Sequence, residues 1–292
     1  MTITQLIVFV KAAELGSFTK AAQALNMTQP AVSHAISGLE SELGLKLLIR
    51  DRRTGLALTD AGKRILVHAR EIMCRFEHIE QEARAGRGLE DGTVRIGSFP
   101  SVSAHYLPGI IGTFRRKHPK VELVLLEGTY EEVEEWIASR VVDIGIVVLP
   151  NEEFEVQQLT ANEMVVVLPH DHPLCDKSAV PVTCLDRLPF IIQKGYEAPI
   201  LSLFQQAGVQ PSFDYQFLHT STILKMIEEG LGVAILADLA LPDALPNVQI
   251  RKLDPPFWRE LGLACPSFKE CSPAVKRFVQ LFLEHVPVRC HD

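Results

Sequence analysis

The sequence has no apolar run long enough to cross a membrane. No stretch of its 292 residues approaches the roughly 18 consecutive apolar residues that a spanning helix requires. The amino terminus also lacks a basic start followed by an apolar segment, because Thr19 and Lys20 interrupt the first apolar stretch. We therefore expect a cytoplasmic protein with no membrane partner.

The short motifs of common enzyme classes are also missing. The nucleophile elbow G-x-S-x-G, the zinc motif H-E-x-x-H, the Walker loop and the dinucleotide fingerprint do not occur. The histidines show no metal-ligand spacing, and we interpret His170 and His172 in Pro-His-Asp-His-Pro as turn residues. These absences argue against an enzyme, and neither a cofactor nor a metal is expected.

Cysteine is scarce and shows no metal-binding pattern. The sequence has six cysteines with no C-x-x-C pair and no zinc-type spacing with histidine: Cys74, Cys175, Cys184, Cys265, Cys271 and Cys290. In a cytoplasmic protein we interpret them as free thiols. Cys265 and Cys271 are close enough in sequence for a redox switch, which stays open as an alternative, although only Lys269 nearby would lower a thiol pKa.

Length and charge indicate more than one domain. A chain of 292 residues favours two or three domains, and 47% hydrophobic with 22% charged residues is typical of globular proteins. The net charge of −7 is unevenly divided. Residues 1–88 contain 12 basic and 9 acidic side chains, whereas the remainder contains 17 and 27. The basic excess is confined to the N-terminal segment, which is consistent with phosphate neutralisation there.

Residues 17–45 predict two short helices that meet at a tight corner. Ser17 is a good N-cap for the first helix, which Asn26 ends. Thr28 can cap the second helix, whose first turn tolerates Pro30. The second helix turns apolar residues inward at spacings of four, three and four: Val32, Ile36, Leu39 and Leu43.

The outward face of the second helix carries hydrogen-bonding side chains that have no reason to be buried. They are of short or medium length and lie towards its N-terminal end, where a recognition helix reaches base edges in a major groove: Gln29, Ser33, His34 and Ser37. From the helix spacing alone, an ordinary corner between two surface helices stays open as the alternative.

A basic hairpin follows these helices. Residues 47–50 and 56–59 predict two strands around the turn at residues 51–55. Its base and tip carry three arginines that would meet phosphates beside the groove: Arg50, Arg52 and Arg53. The order helix, helix-turn-helix, basic hairpin predicts a winged helix-turn-helix DNA-binding domain over residues 1–59.

This N-terminal segment resembles the LysR-type transcriptional regulators. The matching positions occur in one order: Phe9, Gly16-Ser17-Phe18, Ala21-Ala22, Leu25, Gln29-Pro30-Ala31-Val32-Ser33, Ile36, Leu39-Glu40, Leu43-Gly44, Arg50, Leu58-Thr59 and Ala61-Gly62. His34 stands where the family often has arginine, which affects the base preference, and Leu48-Ile49-Arg50 replaces the usual Leu-Phe-x-Arg. The resemblance implies a sequence-specific regulator that contacts double-stranded DNA through Ser17, Thr28, Pro30, the outward residues of the second helix and the three arginines.

Residues 60–87 predict a linker helix about 40 Å long, at 1.5 Å per residue. Its apolar residues follow a heptad seam: Ile65, Ala69, Ile72, Phe76, Ile79 and Ala83. The seam could instead pack against the chain's own C-terminal part, and this alternative stays open. The pattern favours dimerisation, and the family resemblance agrees. The resemblance also implies a homotetramer as the other possible assembly. A two-fold homodimer presents two recognition helices, so we expect an inverted-repeat operator.

Beyond a hinge at residues 88–92, strands alternate with helices, which predicts an α/β domain over residues 93–292. The alternation restarts near residue 164, so we expect two lobes, lobe I over about 93–163 and 268–292 and lobe II over about 164–267. The pattern resembles the periplasmic-binding-protein-like effector domain of the same family. Its motifs include Leu107-Pro108, Asp143-Ile144-Gly145-Ile146, His172-Pro173-Leu174 and Gly230-Leu231-Gly232-Val233.

Ligands of such sheets bind beyond the carboxyl ends of the strands. This rule selects Ser98, Phe99, Pro100, Ser101, Gly128, Thr129, Val147, Val148, Gln193, Lys194, Thr220 and Ser221 as effector-binding residues. Ser101 and Ser221 lie at or next to helix starts that favour an anion, Lys194 adds a positive charge, and Phe99 with Tyr196 would form an apolar wall.

We therefore expect a regulator controlled by a small anionic effector, and favour a carboxylate with an organic body. Three alternatives bear on this expectation. The serines and threonines of the predicted site could only cap their helices. A redox-responsive regulator would use Cys265 and Cys271 instead of the cleft. A solute-binding protein is disfavoured, because the chain carries a DNA reader and no export signal.

Overall fold

The computed structural model describes residues 1–51, 55–85, 91–242, 244–245 and 247–286. The chain divides into two compact units: the first contains Met1–Gly92 with Ala138–Val141, and the second contains the rest. In the described ranges, no helix combines the length and apolarity needed to cross a bilayer.

The first unit contains four helices and one hairpin within its described residues. They are α1 (Ile3–Leu15), α2 (Phe18–Ala24), α3 (Gln29–Leu43), β1 (Leu48–Asp51), β2 (Gly55–Leu58) and α4 (Asp60–Ala85). Ser17 caps α2 by accepting a hydrogen bond from the Lys20 amide at 3.3 Å, and Thr28 caps α3 by accepting one from the Ala31 amide at 3.3 Å. Asn26 turns the corner between these helices with a φ of 52°.

A buried carboxylate joins α3 to the hairpin. Glu40 accepts hydrogen bonds from the amides of Leu47 at 2.8 Å and Leu48 at 3.2 Å, and from Lys46 Nζ at 2.6 Å. Burial raises the pKa of Glu40, but the hydrogen bonds from Lys46 and the two amides outweigh it and lower the pKa overall. The stability that Glu40 contributes is therefore present at neutral pH and is lost as the pH falls through this lowered pKa.

Helix α4 divides into two parts with different surroundings. Ala69 is buried in the core of the first unit, and Ile65 packs against that core. Both residues belong to the seam predicted for dimerisation, but here they hold α4 to its own domain, because the core around Phe9 and Leu39 reaches the first turns of α4. The later seam residues are exposed: Ile72, Phe76, Ile79 and Ala83.

The second unit alternates strands and helices. Its elements are β3 (Gly92–Ser98), α5 (Pro100–His105), α6 (Leu107–Lys117), β4 (Val121–Glu127), α7 (Tyr130–Ala138), β5 (Ile144–Val148), β6 (Glu155–Pro169), β7 (Ala179–Pro181), β8 (Pro189–Gln193), α8 (Glu197–Ala207), β9 (Ser212–Phe217), α9 (Thr220–Glu228), β10 (Ala234–Ala237), β11 (Val248–Cys265) and α10 (Pro273–His285). The order is that of two α/β lobes, as the alternation predicts.

Two long antiparallel strands, β6 and β11, run through both lobes. The main sheet has the order β10, β6, β11, β5, β3, β4, with β7 beside β11. Lobe I packs Phe114 and Phe278 edge to face at 5.1 Å, and lobe II packs Phe190 and Phe204 likewise at 5.1 Å. The crossing strands therefore form a backbone shared by two separate cores.

The apolar runs of the sequence predict strands over only residues 164–168 and 260–265, and both crossing strands extend beyond these ranges. The additional part of β11 contains several charged residues and the pair Pro255-Pro256, so its apolar alternation stops after Ile250. Its pairing with β6 is also irregular, with register shifts between Lys252 and Phe257 and between Leu261 and Gly262. Pairing with a long neighbouring strand, rather than local preference, determines the strand here.

Candidate functional site

Helix α3 presents a polar face whose opposite side is buried. Val32, Ile36 and Leu39 lie in the core of the first unit. Of the predicted DNA contacts in and next to α3, four are exposed, namely Thr28, Pro30, His34 and Ser37, and two are half-buried, namely Gln29 and Ser33. Ser17, the predicted contact at the start of α2, is also half-buried. This is the arrangement that reading a groove requires, because the apolar contacts fix the helix while the polar side chains stay free.

The hairpin contacts the turn between α1 and α2, and Gln29 at the start of α3 lies close by. Leu56 donates its amide hydrogen to the Gly16 carbonyl at 3.3 Å, and Gly55 adopts a φ of 85° next to the same carbonyl. A depression of about 400 Å³ is lined by Ser17 and Gln29 together with Gly55 and its neighbours. Three predicted DNA contacts are not placed by this geometry, because Arg52, Arg53 and the Arg50 side chain lie outside the described residues.

The second unit holds a buried arginine between its lobes. Arg259 lies on β11 and is 4% exposed. Its Nη1 donates to Tyr130 Oη at 2.7 Å, and its Nη2 donates to Ser101 Oγ at 3.2 Å and to Asn162 Oδ1 at 3.1 Å. No carboxylate of the described residues forms an ion pair with this guanidinium. Its buried Nε finds no hydrogen-bond acceptor among them.

Aromatic rings enclose the same guanidinium. Its Cζ lies 5.2 Å from the centroid of the Phe99 ring and 6.0 Å from that of Tyr196, distances at which a cation interacts with a ring face. Tyr130 packs edge to face with Phe99 at 4.5 Å and with Tyr196 at 5.3 Å. Burial raises the pKa of the Tyr130 hydroxyl, and it raises that of Tyr196 as well, so both side chains are neutral.

Some predicted effector residues belong to this cluster, and others do not. Ser101 and Phe99 contact Arg259, while Pro100 is the first residue of α5 between them. Ser98 is fully buried and donates to the Phe99 carbonyl at 3.4 Å. Thr129 forms a reciprocal cap with Glu132, whose carboxylate accepts the Thr129 amide hydrogen at 2.7 Å. The Thr129 amide, in the turn that begins at Gly128, therefore already has a hydrogen-bond acceptor within the protein.

The remaining predicted residues line other parts of the lobes. Gln193 Nε2 donates to the Leu218 carbonyl and to Thr220 Oγ1, both at 3.3 Å, and so connects β8 to the start of α9. Lys194 and Ser221 are exposed. Val147 is buried and Val148 packs against the lobe I core. None of these six residues has a hydrogen bond to Arg259 in the described structure.

Arg259, Tyr130 and Asn162 were not among the residues predicted from the sequence, and none of them lies in a recognisable motif. The only local signal for Arg259 is a pair of opposite charges, Arg259 and Glu260, between Phe257-Trp258 and the apolar stretch that begins at Leu261. Asn162 lies directly opposite Arg259 in the β6–β11 ladder, a pairing between residues far apart in sequence.

Cys265 and Cys271 lie close together at the end of β11. Their Sγ atoms are 3.9 Å apart, with Cys265 fully buried and Cys271 half-buried. The hydrogen bond between the thiols, followed by burial, raises the pKa of Cys265, and the same bond lowers the pKa of Cys271. Among the described residues, no group of three or more metal-ligating side chains is found.

A winged helix-turn-helix unit joined to a two-lobed α/β unit defines a two-domain DNA-binding regulator. Residues 3–63 match the bacterial regulatory helix-turn-helix family of the lysR type, and residues 87–287 match the LysR substrate binding domain. The chain belongs to the LysR family of transcriptional regulators. The members of this family regulate transcription and are not enzymes, in agreement with the missing enzyme motifs.

Relatives match nearly the whole chain. The transcriptional regulator YvbU of Bacillus subtilis is 52% identical over 289 residues, which cover 97% of this chain and 98% of that protein. YoaU of the same organism is 38% identical over 284 residues, covering 96% and 97%. A full-length variant of OxyR from Pseudomonas aeruginosa superposes with a TM-score of 0.77 at 22% identity, covering 98% and 94% of the two chains. At that identity the likeness concerns the fold.

The α3 face generates a prediction about base reading. Gln29→Ala should weaken binding to an operator fragment, selected from a random library by the wild-type protein, by about 1 to 3 kcal/mol, because a lost base contact costs this much. Binding to random DNA should change much less, since it depends on phosphates. Titrations of both DNAs at one salt concentration measure the ratio.

Gln23→Ala is the matched control, because Gln23 is an exposed glutamine on the neighbouring helix α2. It should leave the ratio of operator to random-DNA affinity unchanged. Equal losses on both DNAs for Gln29→Ala would contradict the assignment of Gln29 as a base reader.

Proposed function

We propose that this protein is a cytoplasmic, sequence-specific transcriptional regulator whose activity is set by a small anionic effector bound between the lobes. The observation that carries the anionic part is the buried guanidinium of Arg259, which no carboxylate of the described residues neutralises. The DNA-binding part rests on the family and on the polar face of α3.

An anion is the ligand that this arrangement favours. A buried charge is costly unless it is paired, and the three partners of Arg259 are neutral oxygens. A carboxylate would replace a neutral contact by a charge-assisted hydrogen bond, which is roughly twice as strong. The surrounding rings of Phe99 and Tyr196 suit an organic body, so we favour a small carboxylate over a bare inorganic ion.

The effector acts by binding two arrangements of the lobes unequally. A ligand shifts an equilibrium only by its difference in affinity for the two states. Arg259 is well placed for such a difference, because Tyr130 packs against the cores of both lobes while bonded to it.

Dimerisation is proposed for the exposed part of α4. Ile72, Phe76 and Ile79 are 41%, 36% and 68% exposed in the single chain, although they continue the apolar seam. Pairing of two such helices would bury them and present two copies of α3 to an inverted repeat. The proposed assembly is a homodimer, or a homotetramer built from such dimers.

The proposed anion site predicts a loss of ligand response in Arg259→Gln. A small carboxylate at 100 times its dissociation constant should raise the stability of the full-length wild-type protein by about 2.7 kcal/mol. Arg259→Gln should respond to that compound no more than to chloride, because its side chain carries no charge. Thermal melting against small carboxylates, amino acids, aromatic acids, sulfate and phosphate measures this.

Arg251→Gln serves as the control, since Arg251 lies on the same strand but donates to the Cys175 carbonyl at 2.6 and 3.0 Å. It should keep the ligand-induced shift even if its own melting temperature changes. A compound that stabilises the wild type and Arg259→Gln equally would show that the anion site is wrongly placed.

The dimer proposal predicts that Ile79→Glu favours the monomer. Burying a carboxylate at a helix–helix seam is unfavourable, so the dissociation constant should rise at least tenfold, which corresponds to about 1.4 kcal/mol. Sedimentation velocity over a concentration series measures the constant. Glu80→Gln, at the neighbouring exposed position, should leave it within about twofold. An unchanged dimer in Ile79→Glu would exclude this seam.

A redox-responsive regulator is the second candidate, favoured by the 3.9 Å separation of the Cys265 and Cys271 sulfur atoms. A disulfide requires about 2.05 Å, so a modest shift of the loop before α10 would join them. With a peroxide as oxidant, the two thiols lose two hydrogens and hydrogen peroxide becomes two waters. Cys271 would react first, because it is the less buried thiol and its pKa is lowered.

This candidate predicts a peroxide response that depends on both cysteines. Treatment with hydrogen peroxide should form the intramolecular disulfide in the wild type, seen as a loss of two mass units, and should change operator affinity. Cys271→Ser should abolish both effects, whereas Cys184→Ser should retain them. If disulfide formation leaves the operator affinity of the wild type unchanged, only the effector mechanism remains.

A further inference from the structure

Tyr130 covers the guanidinium of Arg259 and touches both lobes. Its Oη accepts the hydrogen bond from Arg259 Nη1 at 2.7 Å. Its ring packs edge to face against Phe99 of lobe I at 4.5 Å and against Tyr196 of lobe II at 5.3 Å. Tyr130 also packs against the buried apolar cores of both lobes. The Tyr130 side chain therefore connects the two lobes, and it is hydrogen-bonded to the guanidinium that is proposed to bind the anion.

The lobes are in direct contact next to this tyrosine. A Cβ atom placed on Gly195 of lobe II would lie 2.7 Å from Thr129 Cβ of lobe I, closer than real Cβ contacts allow, and 3.0 Å from Thr129 Cγ2. Gly195 also has a φ of 83°, which favours glycine. We call Thr129, Tyr130, Gly195 and Tyr196 the interlobe latch. The latch leaves no room for an additional side chain between the lobes at this point.

The guanidinium is almost completely enclosed in this arrangement, because Arg259 is only 4% exposed. The rings of Phe99 and Tyr196 lie within cation–π distance, and the two Nη atoms donate to three neutral oxygens. The Nε atom has essentially no accessible surface and no acceptor among the described residues. A carboxylate can therefore reach Arg259 only if one of the neutral partners moves away.

Tyr130 is the partner whose movement is easiest to reconcile with the fold. Asn162 is fixed opposite Arg259 by the ladder between β6 and β11. Ser101 lies in the first turn of α5, directly after Phe99 and Pro100. Tyr130, in contrast, is the first residue of α7 and lies outside the main sheet, so rotation of its side chain requires no change in that sheet.

We propose that Tyr130 is a built-in competitor of the effector, and that the effector carboxylate displaces its hydroxyl from Arg259 and opens the interlobe latch. This inference rests on the proposed anion site. The ligand-free protein is then held closed by its own tyrosine, and the effector separates Thr129 from Gly195 rather than drawing the lobes together. Tyr130 acts as a positioning residue that sets both effector affinity and lobe geometry.

Formate is the probe for this proposal, because the smallest carboxylate isolates the contact with the guanidinium from the fit of an organic body. The full-length protein is titrated with sodium formate against sodium chloride at constant ionic strength. Tryptophan fluorescence is the readout: the sequence contains two tryptophans, Trp136 on α7 and Trp258 next to Arg259. Thermal melting under the same conditions gives a second measure of binding.

Tyr130→Phe keeps the ring and removes the competing hydroxyl. It should bind formate about threefold to tenfold more tightly than the wild type, the factor that corresponds to the net loss of one neutral hydrogen bond. Tyr215→Phe is the matched control, since Tyr215 is an exposed lobe II tyrosine stacked on Phe217, and it should bind as the wild type does. The double variant Tyr130→Phe/Arg259→Gln should not bind formate.

Gly195→Ala tests the opening independently of any ligand. Its methyl group should push Thr129 away and give, without formate, the fluorescence change that formate produces in the wild type. Tyr130→Phe decides the proposal if Gly195→Ala fails to fold. Equal formate affinity in the wild type and Tyr130→Phe, or no binding by either, overturns the proposed competition. Formate binding that survives Arg259→Gln instead overturns the anion site, and with it the proposed function.

Discussion

The need to solvate one buried guanidinium governs how the two lobes meet. Arg259 lies on a crossing strand, so the sheet fixes its position independently of either lobe. A buried cation requires polar partners, and here they come from Tyr130 and Ser101 on one side and from Asn162 on the neighbouring crossing strand. In our proposal, an anionic effector changes the lobe contact because it replaces one of these partners.

The DNA-binding unit uses its buried groups to fix the orientation of α3. Val32 and Leu39 anchor the helix in the core, and Glu40 connects its C-terminal half to the hairpin through the amides of Leu47 and Leu48. Helix α4 begins in the same core with Ala69 and then leaves it. The polar face of α3 and the exposed seam of α4 are therefore set by one small core.

Local patterns predicted the elements that their own residues stabilise. The cap residues Ser17 and Thr28 and the inward spacing on α3 are properties of short segments, and the structure contains the corresponding helices. Local patterns also predicted Ser101 and Thr129 as effector residues, with helix capping as their alternative role. Thr129 forms a reciprocal cap with Glu132, whereas Ser101 accepts a hydrogen bond from Arg259, a difference that no local pattern contains.

The matched motifs identify the family. The winged helix-turn-helix, the two-lobed α/β order and the long α4 follow from local sequence, because capping and apolar periodicity act over one to three turns of chain. Long-range packing, in contrast, places Ile65 and Ala69 in or against the core of their own domain and brings Arg259, Tyr130 and Asn162 together. Those residues are brought together by the pairing of β6 with β11 and by the approach of the lobes. Contacts over such separations depend on the packing of the whole unit, which no short stretch of sequence encodes.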